Sequence, residues 1–96
     1  MEEIISSNKN DKIKYLKKLY KSSKRKKEGK FILEGYRLIK QAYESGAIID
    51  YIFVNPSFKK SKEYQNLIFN NGLTGFTYLI EDNLLKDVAD TVNPQG

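Results

Sequence analysis

The chain has 96 residues, which is enough for one small domain with a single hydrophobic core. Seventeen Lys and Arg residues against twelve Asp and Glu give a net charge of +5, and this charge favours a polyanionic partner such as nucleic acid. The absence of Cys and His excludes disulfides and Cys-based zinc sites, and it removes the commonest general base.

The first predicted element is a helix over residues 10–23, because apolar residues recur there at three- and four-residue steps with lysines on the opposite side. Its apolar residues are Ile13, Leu16, Leu19 and Tyr20. Residues 24–30 contain no apolar side chain and are predicted to form an exposed basic loop. Two interpretations of this loop stay open: a solvated segment that aids solubility, or an electrostatic contact surface for a nucleic-acid backbone.

A strand followed by a helix is predicted next. Residues 31–33 form a continuous apolar run that stops at Glu34-Gly35, which is typical of a strand covered on both faces. The following helix spans residues 36–45, and Gly46 is placed to end it in a left-handed conformation. The predicted inward face of this helix contains Leu38, Ile39, Ala42 and Tyr43.

The second half of the chain repeats this alternation. A strand over residues 48–54 ends at Asn55-Pro56, a helix over 61–70 ends at Asn71-Gly72, and a strand over 75–80 precedes a short helix capped by Asp82. The residues predicted to be buried in the two helices are Tyr64, Leu67, Ile68, Leu84, Leu85 and Val88. Such alternation predicts an α/β sandwich with a small, largely parallel sheet.

Nothing in the chain predicts a catalytic centre or a metal site, because the acidic residues do not fall at a spacing that gathers carboxylates. Residues 72–75 lack the Lys-Ser/Thr pair that a phosphate-binding loop requires. The N-terminus carries acids where a secretion signal needs basic residues, and no apolar run approaches the roughly 18 residues of a membrane span. We therefore expect a cytoplasmic protein without a membrane partner.

Several motifs together carry a family resemblance. They are Ile5-Ser6-Ser7-Asn8 before the Lys-rich helix, Arg25, the Phe-x-x-Glu-Gly-x-Arg pattern of residues 31–37, and the Thr-x-x-Pro-Gln-Gly pattern of residues 91–96. In their order and spacing the chain resembles the N-terminal substrate-binding domain of SpoU-type (TrmH-like) RNA ribose 2′-O-methyltransferases. The resemblance implies a three-layer α/β/α fold like that of ribosomal proteins that bind kinked RNA.

The resemblance also implies a domain division: residues 1–91 as an RNA substrate-binding domain and residues 92–96 as the start of a linker to a knotted methyltransferase domain. That further domain would bind S-adenosylmethionine, supply the catalytic Asn and Arg, and mediate homodimerisation. No cofactor and no catalytic residue are then expected in this chain, and the expected partner is RNA, with ribosomal RNA as the substrate. A stand-alone RNA-binding or ribosome-associated protein of the same fold stays open as an alternative, as does a protein-interaction domain with an incidental basic surface.

In the fold that the resemblance implies, RNA is bound where the first strand ends and the next helix begins. The residues at that place are Glu34, Gly35, Tyr36 and Arg37, and the further RNA-binding candidates are Asn8, Lys9, Arg25, Lys26 and Lys27. A helix N-terminus offers free N–H groups to phosphate, Gly35 permits close approach, and Arg37 can form two parallel bonds to an anion.

Three of these residues have alternative roles. Glu34 would repel phosphate, so we expect it to orient Arg25 or Arg37 or to accept a hydrogen bond from a base. Tyr36 is equally interpretable as a core ring or as a base-stacking platform. Arg37 has a structural alternative as the ion-pair partner of Glu34 or Glu44.

Overall fold

The computed structural model describes residues 4–89, which fold around a three-stranded parallel sheet. The strands are β1 (Ile4–Ile5), β2 (Ile52–Val54) and β3 (Thr77–Ile80), and β3 lies between the other two. Both neighbours run parallel to β3, with Ile5 opposite Ile80 and Val54 opposite Leu79. The predicted parallel sheet is confirmed.

Helices connect and cover the strands. They are α1 (Asp11–Leu19), α2 (Ser22–Glu28), α3 (Tyr36–Glu44), α4 (Pro56–Lys59), α5 (Lys62–Tyr64) and α6 (Asp82–Ala89). A π-helical segment, Gln65–Phe69, continues α5, and a 3-10 turn, Thr74–Phe76, leads into β3.

Each face of the sheet carries its own hydrophobic core. On one face, Ile52 and Val54 of β2 pack with Tyr64, Leu67 and Ile68, and partly buried residues of α3 join them. On the other face, a second core joins the sheet to α1 and α6. Its buried members are Ile13, Ile80, Leu84 and Val88. Helices therefore cover both faces, which confirms the expected three-layer α/β/α arrangement.

The predicted helix over residues 10–23 is divided into two helices, and the predicted basic loop is mostly helical. α1 ends at Leu19, Lys21 is extended, and α2 continues to Glu28. The break is stabilised by the Arg25 guanidinium, whose Nη1 donates to the carbonyls of Leu19 and Tyr20 at 3.0 and 2.8 Å. Those carbonyls would otherwise accept from the next turn of a continuous helix. The prediction of exposure was correct, since α2 buries none of its residues.

The strand predicted over residues 31–33 was wrong. This segment is irregular, and Phe31 is 71% exposed. Side-chain bonds hold both ends of this segment without a ladder: Lys30 binds Asp50, and Glu34 binds Tyr20. The sheet is instead completed by β1, which the sequence pattern did not predict.

Three smaller differences from the predicted elements remain. Residues 48–51 precede β2 without pairing, since the chain opposite them forms the 3-10 turn before β3, and Ile48 is 93% exposed. Leu38 was predicted to face inward, but it is 51% exposed because α3 presents Ile39 and Tyr43 to the core. Asp82 lies in the first turn of α6 rather than before it.

The remaining helix predictions are confirmed. α3 begins at Tyr36, and Gly46 follows it with a φ of 87°. Gly72, at the predicted end of the third helical region, has a φ of 70°. A membrane-crossing helix would have to be longer and more apolar than any found within residues 4–89.

Candidate functional site

Tyr20 connects two of the predicted RNA-binding residues. Its hydroxyl donates a 2.8 Å hydrogen bond to the Glu34 carboxylate, and its backbone carbonyl accepts from Arg25. Burial, together with the negative Glu34 carboxylate, raises the pKa of Tyr20 above its ordinary range. The Glu34 carboxylate therefore bonds to Tyr20 and to neither Arg25 nor Arg37, while the alternative that it accepts a hydrogen bond from a base stays a prediction.

Gly35 turns the chain from the irregular segment into α3. Its φ of 103° and ψ of 142° lie in a region that side-chain-bearing residues rarely adopt. A Cβ atom added at this position would contact no neighbouring atom, so glycine is required by the backbone conformation and not by a lack of space. The space outside the turn is therefore open. The position therefore combines a fixed backbone with an accessible approach.

The N-terminus of α3 is uncapped. Gly35 offers no side-chain cap and the first turn contains no acidic residue, so the first N–H groups have no side-chain acceptor. The partial positive charge of the helix end is left without a neutralising group from α3 itself. This end lies near the carboxyl end of β2, since a cavity of about 200 Å³ is lined by Gly35, Tyr36, Val54 and Asn55 among others.

Arg37 lies in this first turn with an exposed side chain. Within residues 4–89 the Arg37 side chain forms no hydrogen bond, ion pair or ring contact. Both partners of the structural alternative are engaged elsewhere, Glu34 with Tyr20 and Glu44 with Lys40 at 3.0 Å. Its guanidinium is available to an external anion.

Tyr36 is half-buried and packs against the first core. Its ring lies 6.2 Å from that of Phe58, measured between centroids, at an interplanar angle of 50°. This contact favours the core interpretation of Tyr36 over that of a base-stacking platform.

Asn8 and Lys9 follow β1, at the opposite edge of the sheet from Gly35. The Asn8 side-chain oxygen accepts a 2.9 Å bond from Lys17, and the Lys9 backbone N–H donates to Ser7 Oγ at 3.0 Å. Lys17 also approaches Asp87 at 3.5 Å. Asn8 thus belongs to a polar group that joins β1, α1 and α6.

Some cations of the basic helix α2 bind other residues of the chain, and others are free. Arg25 holds the end of α1, and Lys24 pairs with Glu28 at 3.3 Å. Lys26 and Lys27 are exposed, and their side chains form no hydrogen bond or ion pair within the described range 4–89. These two lysines are the cations of α2 that an external polyanion would meet first.

The candidates therefore fall into two groups. Arg25 and the segment from Glu34 to Arg37 are brought together through Tyr20, whereas Asn8 and Lys9 lie across the sheet. Sequence reasoning placed Tyr20 only in the core and did not single out Lys17. No local signal identifies either role, because each depends on a partner that is distant along the chain.

Comparison with known proteins places this geometry in context. Residues 10–96 match the family described as the MRM3-like substrate binding domain. The chain is also 30% identical over 95 residues to an uncharacterised tRNA/rRNA methyltransferase of Synechocystis sp. (strain PCC 6803), an alignment covering 96% of this chain and 33% of that protein. It therefore spans about a third of the length of the curated relative that it matches. No solved structure matches the chain significantly.

Proposed function

Because the chain belongs to the MRM3-like substrate binding domain family, we propose that it is the RNA-recognition domain of a tRNA/rRNA methyltransferase. The domain binds RNA and presents it to a separate catalytic domain. No described residue of this chain takes part in the chemical step.

The free guanidinium of Arg37 beside the uncapped start of α3 carries this proposal. The helix dipole disfavours a cation in the first helical turn. The position of the guanidinium becomes favourable when an anion lies between it and the backbone N–H groups of the helix start. An RNA phosphate satisfies both at once, accepting from backbone N–H groups and from the guanidinium fork. The exposed Lys26 and Lys27 add attraction for the same polyanion without reading sequence.

We further propose the identity of the reaction. The full-length enzyme transfers a methyl group from S-adenosylmethionine to a ribose 2′-hydroxyl, and ribosomal RNA is the substrate. The donor binds in the catalytic domain, which also provides the dimer interface, and the enzyme acts in the cytoplasm. The family resemblance of residues 31–37 and 91–96 supports this part of the proposal.

Binding measurements test the RNA-recognition role. Fluorescence anisotropy of this chain with a ribosomal RNA fragment, a transfer RNA and duplex DNA of equal length should show tighter binding to RNA. In the full-length enzyme, Arg37→Ala should lower kcat/KM for RNA and leave the KM for S-adenosylmethionine unchanged. Equal binding of DNA and RNA, or a changed donor KM with normal RNA kinetics, would contradict the proposal.

A further inference from the structure

Four aromatic rings cluster on the face of the sheet that α1 covers, near the amino ends of β2 and β3. Tyr51 lies 6.2 Å from Tyr15, 6.2 Å from Phe53 and 5.9 Å from Tyr78, measured between ring centroids. Phe53 and Tyr78 are themselves 5.9 Å apart. Tyr51 is therefore supported by three other rings, which fix its orientation.

The cluster is not closed over. Tyr51 is 45% exposed, and a cavity of about 670 Å³ is lined by Tyr15, Tyr51, Glu34 and Gly35 among others. We call this cavity the aromatic groove. Its size falls within the range of small-molecule pockets, and it shares Gly35 with the smaller cavity at the start of α3.

Lysines flank the rings. The Lys12 ammonium lies 4.8 Å from the centroid of Tyr78, and that of Lys24 lies 5.9 Å from the centroid of Tyr15. These positions are cation–π contacts that keep positive charge beside the groove.

The acids that face the groove are already engaged. Glu28 accepts from the Tyr15 hydroxyl and pairs with Lys24, while Asp50 pairs with Lys30. The third acid of the lining, Glu34, accepts from Tyr20. These three acids balance Lys12, Lys24 and Lys30 in number, but within residues 4–89 the Lys12 side chain forms no ion pair or hydrogen bond and contacts only the Tyr78 ring. An anion with a flat ring is complementary to this combination of an exposed aromatic face and the unpaired Lys12 ammonium.

We propose that the aromatic groove binds an unpaired nucleotide of the RNA, whose base stacks on Tyr51 and whose phosphate lies against Lys12. This inference rests on the proposed function and extends it to a second contact region. Stacking requires a free base face, which a nucleotide inside a continuous duplex does not offer. Every base has such a face, so the groove accepts different bases.

The two contact regions are compatible with one RNA strand. Tyr51 precedes β2 and Asn55 follows it, and four residues of extended chain span about 13 Å. Stacked nucleotides rise about 3.4 Å each, so about four nucleotides reach from Tyr51 to the region of Gly35. The RNA that fits is a junction in which an unpaired segment adjoins the phosphate held at α3.

The test compares a single-stranded RNA with a fully paired RNA of the same length, using the wild-type chain and three variants. Tyr51→Ala should weaken single-strand binding about tenfold or more, because the stacking surface is lost. Tyr51→Phe should bind like the wild type, and duplex binding should change by less than about twofold in both. If Tyr51→Ala lowers the thermal midpoint enough to unfold the chain, Tyr51→Leu provides the same loss of stacking with the apolar volume retained.

Each outcome has one interpretation. Normal single-strand affinity in folded Tyr51→Ala or Tyr51→Leu would overturn the groove proposal, and the proposed function would stand if Arg37→Ala still weakened binding. Equal losses for single-stranded and paired RNA would also overturn it, since a duplex cannot stack on Tyr51. A wild-type chain that binds neither RNA would contradict the proposed function itself.

Discussion

The Tyr20 hydroxyl donates to the Glu34 carboxylate at 2.8 Å, so the end of α1 is tied to the residue immediately before Gly35. The same tyrosine offers its carbonyl to Arg25 of α2. The position of the α3 start is thus coupled to both N-terminal helices, even though α3 forms no side-chain cap of its own.

Replacing Tyr20 should change how stability depends on pH. Folding raises the Tyr20 pKa, so the unfolded chain loses the hydroxyl proton at a lower pH than the folded chain does. The stabilisation from the Tyr20–Glu34 bond is therefore fully present below the ordinary tyrosine pKa of about 10, and it decreases as the pH rises above that value. Urea unfolding at about pH 8 and about pH 11 should therefore show a free-energy difference between wild type and Tyr20→Phe that shrinks as pH rises. A difference that stays constant across this interval would contradict the assigned Tyr20–Glu34 contact.

Arg25→Ala should destabilise the fold more than it weakens RNA binding. Its Nη1 atom caps two carbonyls at the end of α1, and we expect a loss of about 1 kcal/mol for this partly buried contact. Urea unfolding measures the loss, and Lys62→Ala on an exposed position of α5 is the control. If unfolding is unchanged while RNA affinity falls, Arg25 contacts RNA directly instead.

Removing the charges of Lys26 and Lys27 together should flatten the salt dependence of RNA binding. Both are exposed on α2, and each phosphate contact contributes about one unit of slope in log affinity against log salt, so we expect a change of about two units. Titrations at several salt concentrations, with a Lys62→Ala/Lys86→Ala double variant as control, measure this slope. An unchanged slope would show that α2 faces away from the RNA.

Arg37→Ala should cost about 1–3 kcal/mol of RNA binding, whereas a single Lys26→Ala or Lys27→Ala should cost under about 1 kcal/mol. Arg37 is held on the first turn of a helix and needs little further ordering, while each lysine shares its role with a neighbour. Arg37→Lys should restore only part of the affinity, because an ammonium lacks the planar fork. Normal affinity with a lowered thermal midpoint in Arg37→Ala would show a structural role.

The parts of the fold that depend on local pattern could be predicted from the sequence. The recurrence of Ile13, Leu16 and Leu19 identified α1, and Gly46 marked the end of α3. Strand pairing was predicted less well, because the strand that pairs with a given segment can lie far from it in the sequence. Residues 31–33 have strand-like composition but no ladder, whereas the short β1 is a strand only because Leu79 and Ile80 lie beside it.

In the candidate site, too, the features set by local pattern were predicted and those set by distant partners were not. Arg37 was located correctly at a helix start, since that follows from the motif and the helix periodicity. The bonds of Tyr20 to Glu34 and of Arg25 to the end of α1 were not predicted. The first depends on where the segment after α2 lies, and the second on the angle between α1 and α2. A sequence pattern does not specify the angle between two consecutive helices.

The central position of β3 has a consequence for the order of folding. Of the three described strands it is the last to be synthesised, yet both β1 and β2 make their ladder bonds to it. During translation Ile4–Ile5 must remain unpaired until Thr77–Ile80 has left the ribosome, so the sheet forms late and largely at once. Ribosome-stalled chains that stop before β3 should therefore be protease-sensitive throughout, while those that extend well past α6 should not.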